Sequence, residues 1–455
     1  MRTTAAAIVT AGLLSAVQAR ALADGAFPDS QSVITPADRP QEIILPTNFG
    51  LVISEDGGQS WQWSCEREAN AYGYLYQQGP APRHRLFTVA NDHVAFSDDG
   101  SCSWQTSGGA VAGQAVTDVF ADPNDADHVL AVAYAGGIFG VYPSRDGGAT
   151  FEAPLYQAPA GDGIGGVEIA RSNPRVIYAA MTNAVYTQPK LARSSDGGAS
   201  WTVTDLGSMI GLGIVRIIAV DPQNPDIVLL RLLGPDGQSI AITRDGGATA
   251  TTTLSTAGEL TSYVQLENGT RLAGALLDSG TTAALYRSHD GGATFEMVAN
   301  PPSIRGLSWR GDKVYAATDN FGDGYALGVS SDEGSSWSAV MSYGQIQAIL
   351  GCVREDAQCQ ASCDALAGQG MMSPGMIWEP TVCSANPVPE PLPEPPMMLG
   401  GGGGCGCATA GSSPVLVLVL VLVVVLVLVV ASRRRPSTST STRTRTRTGR
   451  SAREA

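Results

Sequence analysis

The chain has 455 residues, with 28 Lys and Arg against 42 Asp and Glu and a formal net charge of −14. That length holds one large domain with appendages. Ten of the 28 basic residues sit at the two ends, from Arg2 to Arg20 and from Arg433 onward. The body is therefore more acidic still, which argues against a nucleic-acid partner, whose phosphates it would repel. Residues 1–23 read as a secretory signal. Arg2 gives a charged start, Ala5 to Val17 a short apolar stretch, and Ala21-Leu22-Ala23 a small-residue cleavage pattern before Asp24. The apolar stretch is too short for a membrane helix.

From residue 24 to 350 an octapeptide recurs. SEDGGQSW begins at Ser54, SDDGSCSW at Ser97, SRDGGATF at Ser144, SSDGGASW at Ser194, TRDGGATA at Thr243, SHDGGATF at Ser288 and SSDEGSSW at Ser330. The third residue is always Asp: Asp56, Asp99, Asp146, Asp196, Asp245, Asp290 and Asp332, at steps of 43, 47, 50, 49, 45 and 42 residues. Ser or Thr at the first position and Asp at the third can bond the N–H groups of a tight turn. The glycines supply positive φ where the chain reverses. The eighth residue, Trp or Phe in six copies, can pack between neighbouring sheets. Short strand-like runs fill the intervals, as in Ala115 to Phe120, His128 to Tyr134 and Gly137 to Tyr142, with DP and NP punctuating the first connection. The same order runs through Ser32 to Ile34, Glu42 to Leu45 and Gly50 to Ser54. A period in this range with four strands per repeat predicts an all-β fold, a seven-bladed propeller of four-stranded blades. Ile346 to Leu350 resembles a first strand with no blade after it; it either closes the ring on the first blade or begins the next segment.

S/T-x-D-x-G-x-S/T-W/F, as it stands at these seven positions, resembles the Asp-box, or BNR repeat, over roughly residues 31 to 345. In that family the box is the hairpin between the third and fourth strands of a blade, so the resemblance implies a structural role for the seven aspartates. Asp-boxes occur in sialidases, xyloglucan hydrolases, sortilin-type receptors and a photosystem assembly factor, so the fold leaves the function open. The loops that join second to third strands, and fourth strands to the next first strand, would share the opposite face. Asp319, Asn320, Phe321, Asp323 and Tyr325 make the richest such loop, and Asn48, Phe49, His93 and Tyr134 occupy equivalent loops. Polar groups beside aromatic rings suit a sugar or a peptide.

The catalytic signatures of sialidases are missing: there is no Arg-Ile-Pro tripeptide. Nor is there a G-x-S-x-G, H-E-x-x-H or P-loop pattern. His84, His93, His128 and His289 share no metal-ligand spacing. The sequence therefore reads as a binding or interaction module for a glycan or a protein, without catalytic residues, cofactor or metal. A sialidase-like or other glycoside hydrolase, whose carboxylates would meet across the ring, and an assembly factor are the alternatives.

Cysteines in an exported chain point to disulfides. Cys65 and Cys102 fall on or beside the outer strands of adjacent blades and are expected to pair. Residues 351–386 form a Cys-rich cap, with Cys352, Cys359, Cys363 and Cys383 in an unassigned pattern; Met371, Met372 and Met376 read as gap-filling core. Residues 387–404 are a Pro/Gly-rich linker. Residues 405–435 hold Cys405 and Cys407, the sixteen Val and Leu of Val415 to Val430, and Arg433 to Arg435. This order resembles the MYXO-CTERM sorting signal of myxobacteria. It implies a C-terminal hydrophobic sorting or transmembrane helix, a sorting protease of the myxosortase type acting near the cysteines, and display at the cell surface. The alternative is a permanent, periplasm-facing membrane anchor. Residues 436–455 are a basic tail.

Overall fold

The computed structural model describes residues 28–66, 76–90, 92–368 and 377–386. The signal segment, Met371, Met372, Met376, the linker, Cys405 and Cys407 with the segment around them, and the basic tail lie outside the described residues. Among the described residues no helix is long and apolar enough to cross a membrane.

The chain folds as a seven-bladed β-propeller of four-stranded antiparallel blades. Blade 4 shows the plan: Gly163–Ile169 innermost, then Ile177–Thr182, Pro189–Ser194 and Thr202–Asp205 at the outer edge. Each octapeptide joins a third strand to the outer segment of its blade. In blade 3 the first hydroxyl, of Ser144, donates to Asp146 Oδ1 at 2.7 Å and accepts the Gly148 N–H at 2.8 Å. Asp146 then accepts the Thr150 N–H at 2.9 Å and its hydroxyl at 2.6 Å. The same bonds recur in the other blades, for example around Asp56, Asp196 and Asp332. The turn needs a left-handed residue, and where glycine is missing the substitute adopts it: Ser101 has φ 77° and Glu333 φ 56°. The aromatic position works as a wedge. Phe151, Trp201, Phe295 and Trp337 each join the apolar layer between their own blade and the preceding one.

The DP connections have a physical basis too. Asp221 Oδ1 accepts the N–H groups of Gln223 and Asn224 at 3.0 and 3.2 Å, an Asx-type turn, while its Oδ2 receives the buried Arg271 at 2.7 Å from the next blade.

Blade 1 is built from the N-terminal part of the domain. Ser30 and Ile34 bridge to Thr47 and Ile44 on strand Ile43–Thr47. Blade 7 closes on it through Thr35 Oγ1 and Ser308 Oγ, 2.7 Å apart, and through Arg310, which donates to the Glu42 carbonyl at 2.7 Å. Gly306 permits the approach, since a Cβ there would lie 2.5 Å from Ser32 Cα. The segment after blade 7 does join the first blade, but on its outside: Ala348–Ile349 pairs in parallel with Gln62–Cys65. The chain then enters the cap, helix Ala357–Gly368 and the turn Pro380–Cys383. Trp378 is buried against Trp63 and Phe49, with ring centroids 5.1 and 5.9 Å apart.

The expected Cys65–Cys102 pairing is corrected. Cys65 bonds Cys359, Cys102 bonds Cys352, and Cys363 bonds Cys383. The reason lies in strand alternation and in the returning chain. Ser64 faces blade 2, its hydroxyl 3.4 Å from the Ser101 carbonyl; Cys65, one residue on, is turned to the other side of the strand, toward the cap helix. The cap is thus stapled to blades 1 and 2 rather than lying beyond them.

Candidate functional site

The face opposite the octapeptides gathers the second-to-third and fourth-to-first loops, and two clusters stand out there. The first lies where blade 7 meets blade 1 and holds most of the residues expected from sequence. It consists of the loop between strands Lys313–Ala317 and Leu327–Ser330, the Asn48 turn, Asp29, Arg305 and Tyr343. Most of its polar groups are engaged inward. Asp319 Oδ1 accepts the N–H groups of Phe321 and Gly322, both at 3.0 Å. Asp323 Oδ2 accepts those of Ser303 and Asp319 at 3.0 and 3.1 Å. Asn320 Oδ1 accepts the Tyr343 N–H at 2.9 Å, and Asn48 Oδ1 that of Asp29 at 2.9 Å. Phe49 is buried, edge-on to Tyr343 at 5.1 Å; it is core, and not a surface for a ligand. Tyr325 is half-buried, its ring lying over Gly328. Phe321 alone presents a large apolar surface, at 37% exposure.

Arg305 sits among acids. Its Nε donates to Asp29 Oδ2 at 3.0 Å, and Nη2 lies 3.9 Å from Asp319 Oδ2. Burial raises the Asp29 carboxyl to about 6 despite that guanidinium. Burial also raises Asp323, and holds the Tyr343 phenol, bonded to Ser30 Oγ at 2.8 Å, well above its ordinary range.

His93 and Tyr134 lie elsewhere on this face. The His93 Nδ1 is 2.7 Å from Asp92 Oδ1. Tyr134 belongs to the second cluster, which runs over blades 3 to 5. Its ring, 45% exposed, lies 4.9 Å from Phe139. Phe139 and Tyr186 both reach the start of the blade 4 inner strand, within 4.0 Å and 3.6 Å of where a Gly163 Cβ would stand. Tyr186 is held at φ 56° in a loop closed by Asn183, whose side chain accepts the Thr187 and Gln188 N–H groups at 2.9 and 3.0 Å. That loop is tied to the next connection, as Gly213 N–H donates to the Thr187 carbonyl at 2.8 Å. Tyr134 is legible in the sequence and its companions are not; Ala184-Val185-Tyr186 inside an otherwise polar loop is the signal that points to them.

Nearer the axis the side chains belong to the seams between blades. Gln77 accepts the Ala121 N–H at 2.6 Å, Asp118 that of Val167 at 2.9 Å, Glu168 that of Val220 at 2.9 Å and Gln238 that of Leu260 at 2.9 Å. Each binds one blade to the next through a backbone group that a second strand does not reach. The inner strands of blades 3 to 6 bulge here, which helps to aim Asp118 and Glu168. Burial raises the Asp118 carboxyl to about 6. Among the described residues no cluster of His, Cys, Asp and Glu could hold a metal ion.

No family model and no curated protein matches the chain. Solved structures do. A GH74 enzyme from Niastella koreensis is similar at 13% identity and TM-score 0.41, over 69% of this chain and 66% of that one. The extracellular domain of a hybrid two-component system from B. thetaiotaomicron is similar at 13% identity and TM-score 0.43, over 66% of this chain and 38% of that one. A prolyl endopeptidase is similar at 15% identity and TM-score 0.43, over 68% and 48%. The chain thus spans less than two thirds of the length of each of these proteins. The likenesses concern the fold, and the propeller assignment itself rests on the strand pairing.

Proposed function

We propose that the chain is an exported Asp-box propeller, displayed at the cell surface by its C-terminal sorting segment, that binds a partner on the loop face and performs no covalent chemistry. One observation carries this. Of the eight large apolar side chains exposed among the described residues, six stand on the loop face: Tyr134, Val185, Tyr186, Met209, Leu212 and Phe321. Exposed apolar clusters of this kind mark interaction sites. Around the axis, Asp118 and Glu168 are committed to backbone groups of the next blade. The three disulfides accord with an oxidising compartment.

Screening the purified full-length chain against glycan and peptide arrays tests the assignment. Retention of a ligand without turnover is expected. A glycoside hydrolase has one feature in its favour, two carboxylates, Asp29 and Asp319, sharing Arg305. Bond cleavage in a captured glycan, abolished by Asp29→Asn, would replace the binding assignment with the enzymatic one.

A further inference from the structure

The apolar strip on blades 3 to 5 narrows the partner. It is continuous in the fold: Tyr134 and Phe139 meet across one hairpin, Tyr186 reaches the same Gly163 floor, and the Thr187–Gly213 backbone bond brings Leu212 alongside. Val185 is 70% exposed and Leu212 55%. Met209 stands on the short helical turn Gly207–Ile210 of the same connection. Aromatic rings alone would serve a sugar face, but exposed Val, Leu and Met offer a sugar nothing to bond. They suit the apolar side of a polypeptide.

The fully exposed charges at the loop ends of blades 4 to 6 have one sign. Asp205, Asp236 and Asp278 are exposed at the loop ends of blades 4, 5 and 6, while Glu259, half-exposed at the start of the blade 6 inner strand, is paired with Arg231 at 3.3 Å. The nearby basic groups are engaged: Lys190 is paired with Asp162 at 2.6 Å, and Arg216 donates to the Gly165 carbonyl. An apolar strip beside an acidic rim complements a segment with an apolar face flanked by Lys or Arg.

Resting on the binding role proposed above, we infer that the strip formed by Tyr134, Phe139, Val185, Tyr186, Met209 and Leu212 is a docking site for a cationic, amphipathic segment of a partner protein. The apolar residues supply affinity, and the acidic rim selects against anionic partners and speeds encounter.

The test uses short synthetic amphipathic peptides with a Leu/Phe face flanked by Lys and Arg, and a matched set flanked by Glu. Fluorescence anisotropy with the full-length chain is read at low and high salt. The Lys/Arg peptides should bind, weaken as salt rises, and weaken roughly tenfold on Tyr186→Ala or Leu212→Ser. Both positions are exposed, so neither change should disturb folding, and Val203→Ser, on an exposed outer strand, serves as the control without effect. Equal binding of the Glu set, binding indifferent to Tyr186→Ala and Leu212→Ser, or no binding of either set overturns the inference. An oligosaccharide whose capture is lost on Tyr134→Ala also overturns it while leaving a binding module in place. Cleavage of any captured ligand would instead remove the binding role itself.

Discussion

The cap is the part of the molecule whose energetics can be worked most directly. Cys102–Cys352 joins residues 250 apart and Cys65–Cys359 residues 294 apart. In the chain-entropy model a lone bridge of either length stabilises by about 5.5 kcal/mol. With one in place, the second closes only roughly 44 further residues and adds about 4 kcal/mol. Cys102→Ala with Cys352→Ala should therefore lower the unfolding free energy by about 4 kcal/mol or somewhat less. Cys65→Ala with Cys102→Ala breaks both bridges. It should cost about 9 kcal/mol, comparable with the whole stability of a domain. Urea unfolding followed by tryptophan fluorescence is suitable, because Trp63 and Trp378 lie at the junction. If the Cys65/Cys102 double variant loses only the amount of a single bridge, the two cysteines are bonded to each other and the stapled cap is wrong.

Three further outcomes are expected. Ser144→Ala removes a buried hydroxyl that serves both Asp146 and the Gly148 N–H; thermal unfolding should show a loss of about 1–2 kcal/mol, and no loss would contradict the structural role of the octapeptide. Stability should peak in mildly acid solution. Asp29 and Asp118, raised to about 6, contribute stability that is full below the ordinary carboxylate range and lost as pH rises through about 6. The octapeptide aspartates contribute the opposite way: Asp196, held at about 2 by the Ser200 hydroxyl and N–H, helps above that range and loses its effect as pH falls toward 2. Asp118→Asn should flatten the slope on the neutral side in a pH series of denaturation curves, and an unchanged slope would refute the assignment. Finally, residues after about Cys407 should be absent from mature surface protein, and Cys405→Ala with Cys407→Ala should leave a longer precursor, as read by intact mass. Mature chains ending at Ala455 would favour a retained anchor.

The blades were legible because a local rule generates them. Ser, Asp, Gly and an aromatic within eight residues make a turn whose Ser and Asp side-chain hydrogen bonds are all local, so Asp146 or Asp290 can be placed from sequence alone. The pairing of Cys65 and Cys102 was not legible, because it depends on a cap that returns from more than 200 residues away. Phe49 has the loop position of a ligand contact, yet it is claimed by Tyr343 and Trp378, from beyond the last blade. The loop Asp319 to Tyr325 was found as a loop, but Asx-type bonding turns most of its polar atoms inward. Tyr134 is legible and Tyr186 is not, because the strip forms only when blades 3 and 4 stand side by side.

The most direct test of loop-face binding is hydrogen exchange on the full-length chain, with and without a ligand captured on the arrays. Slower exchange is expected in residues 134–139, 183–188 and 206–213, with the octapeptides at 144–151 and 194–201 unchanged. Protection confined to the octapeptide face, or turnover of the ligand during the experiment, would contradict it.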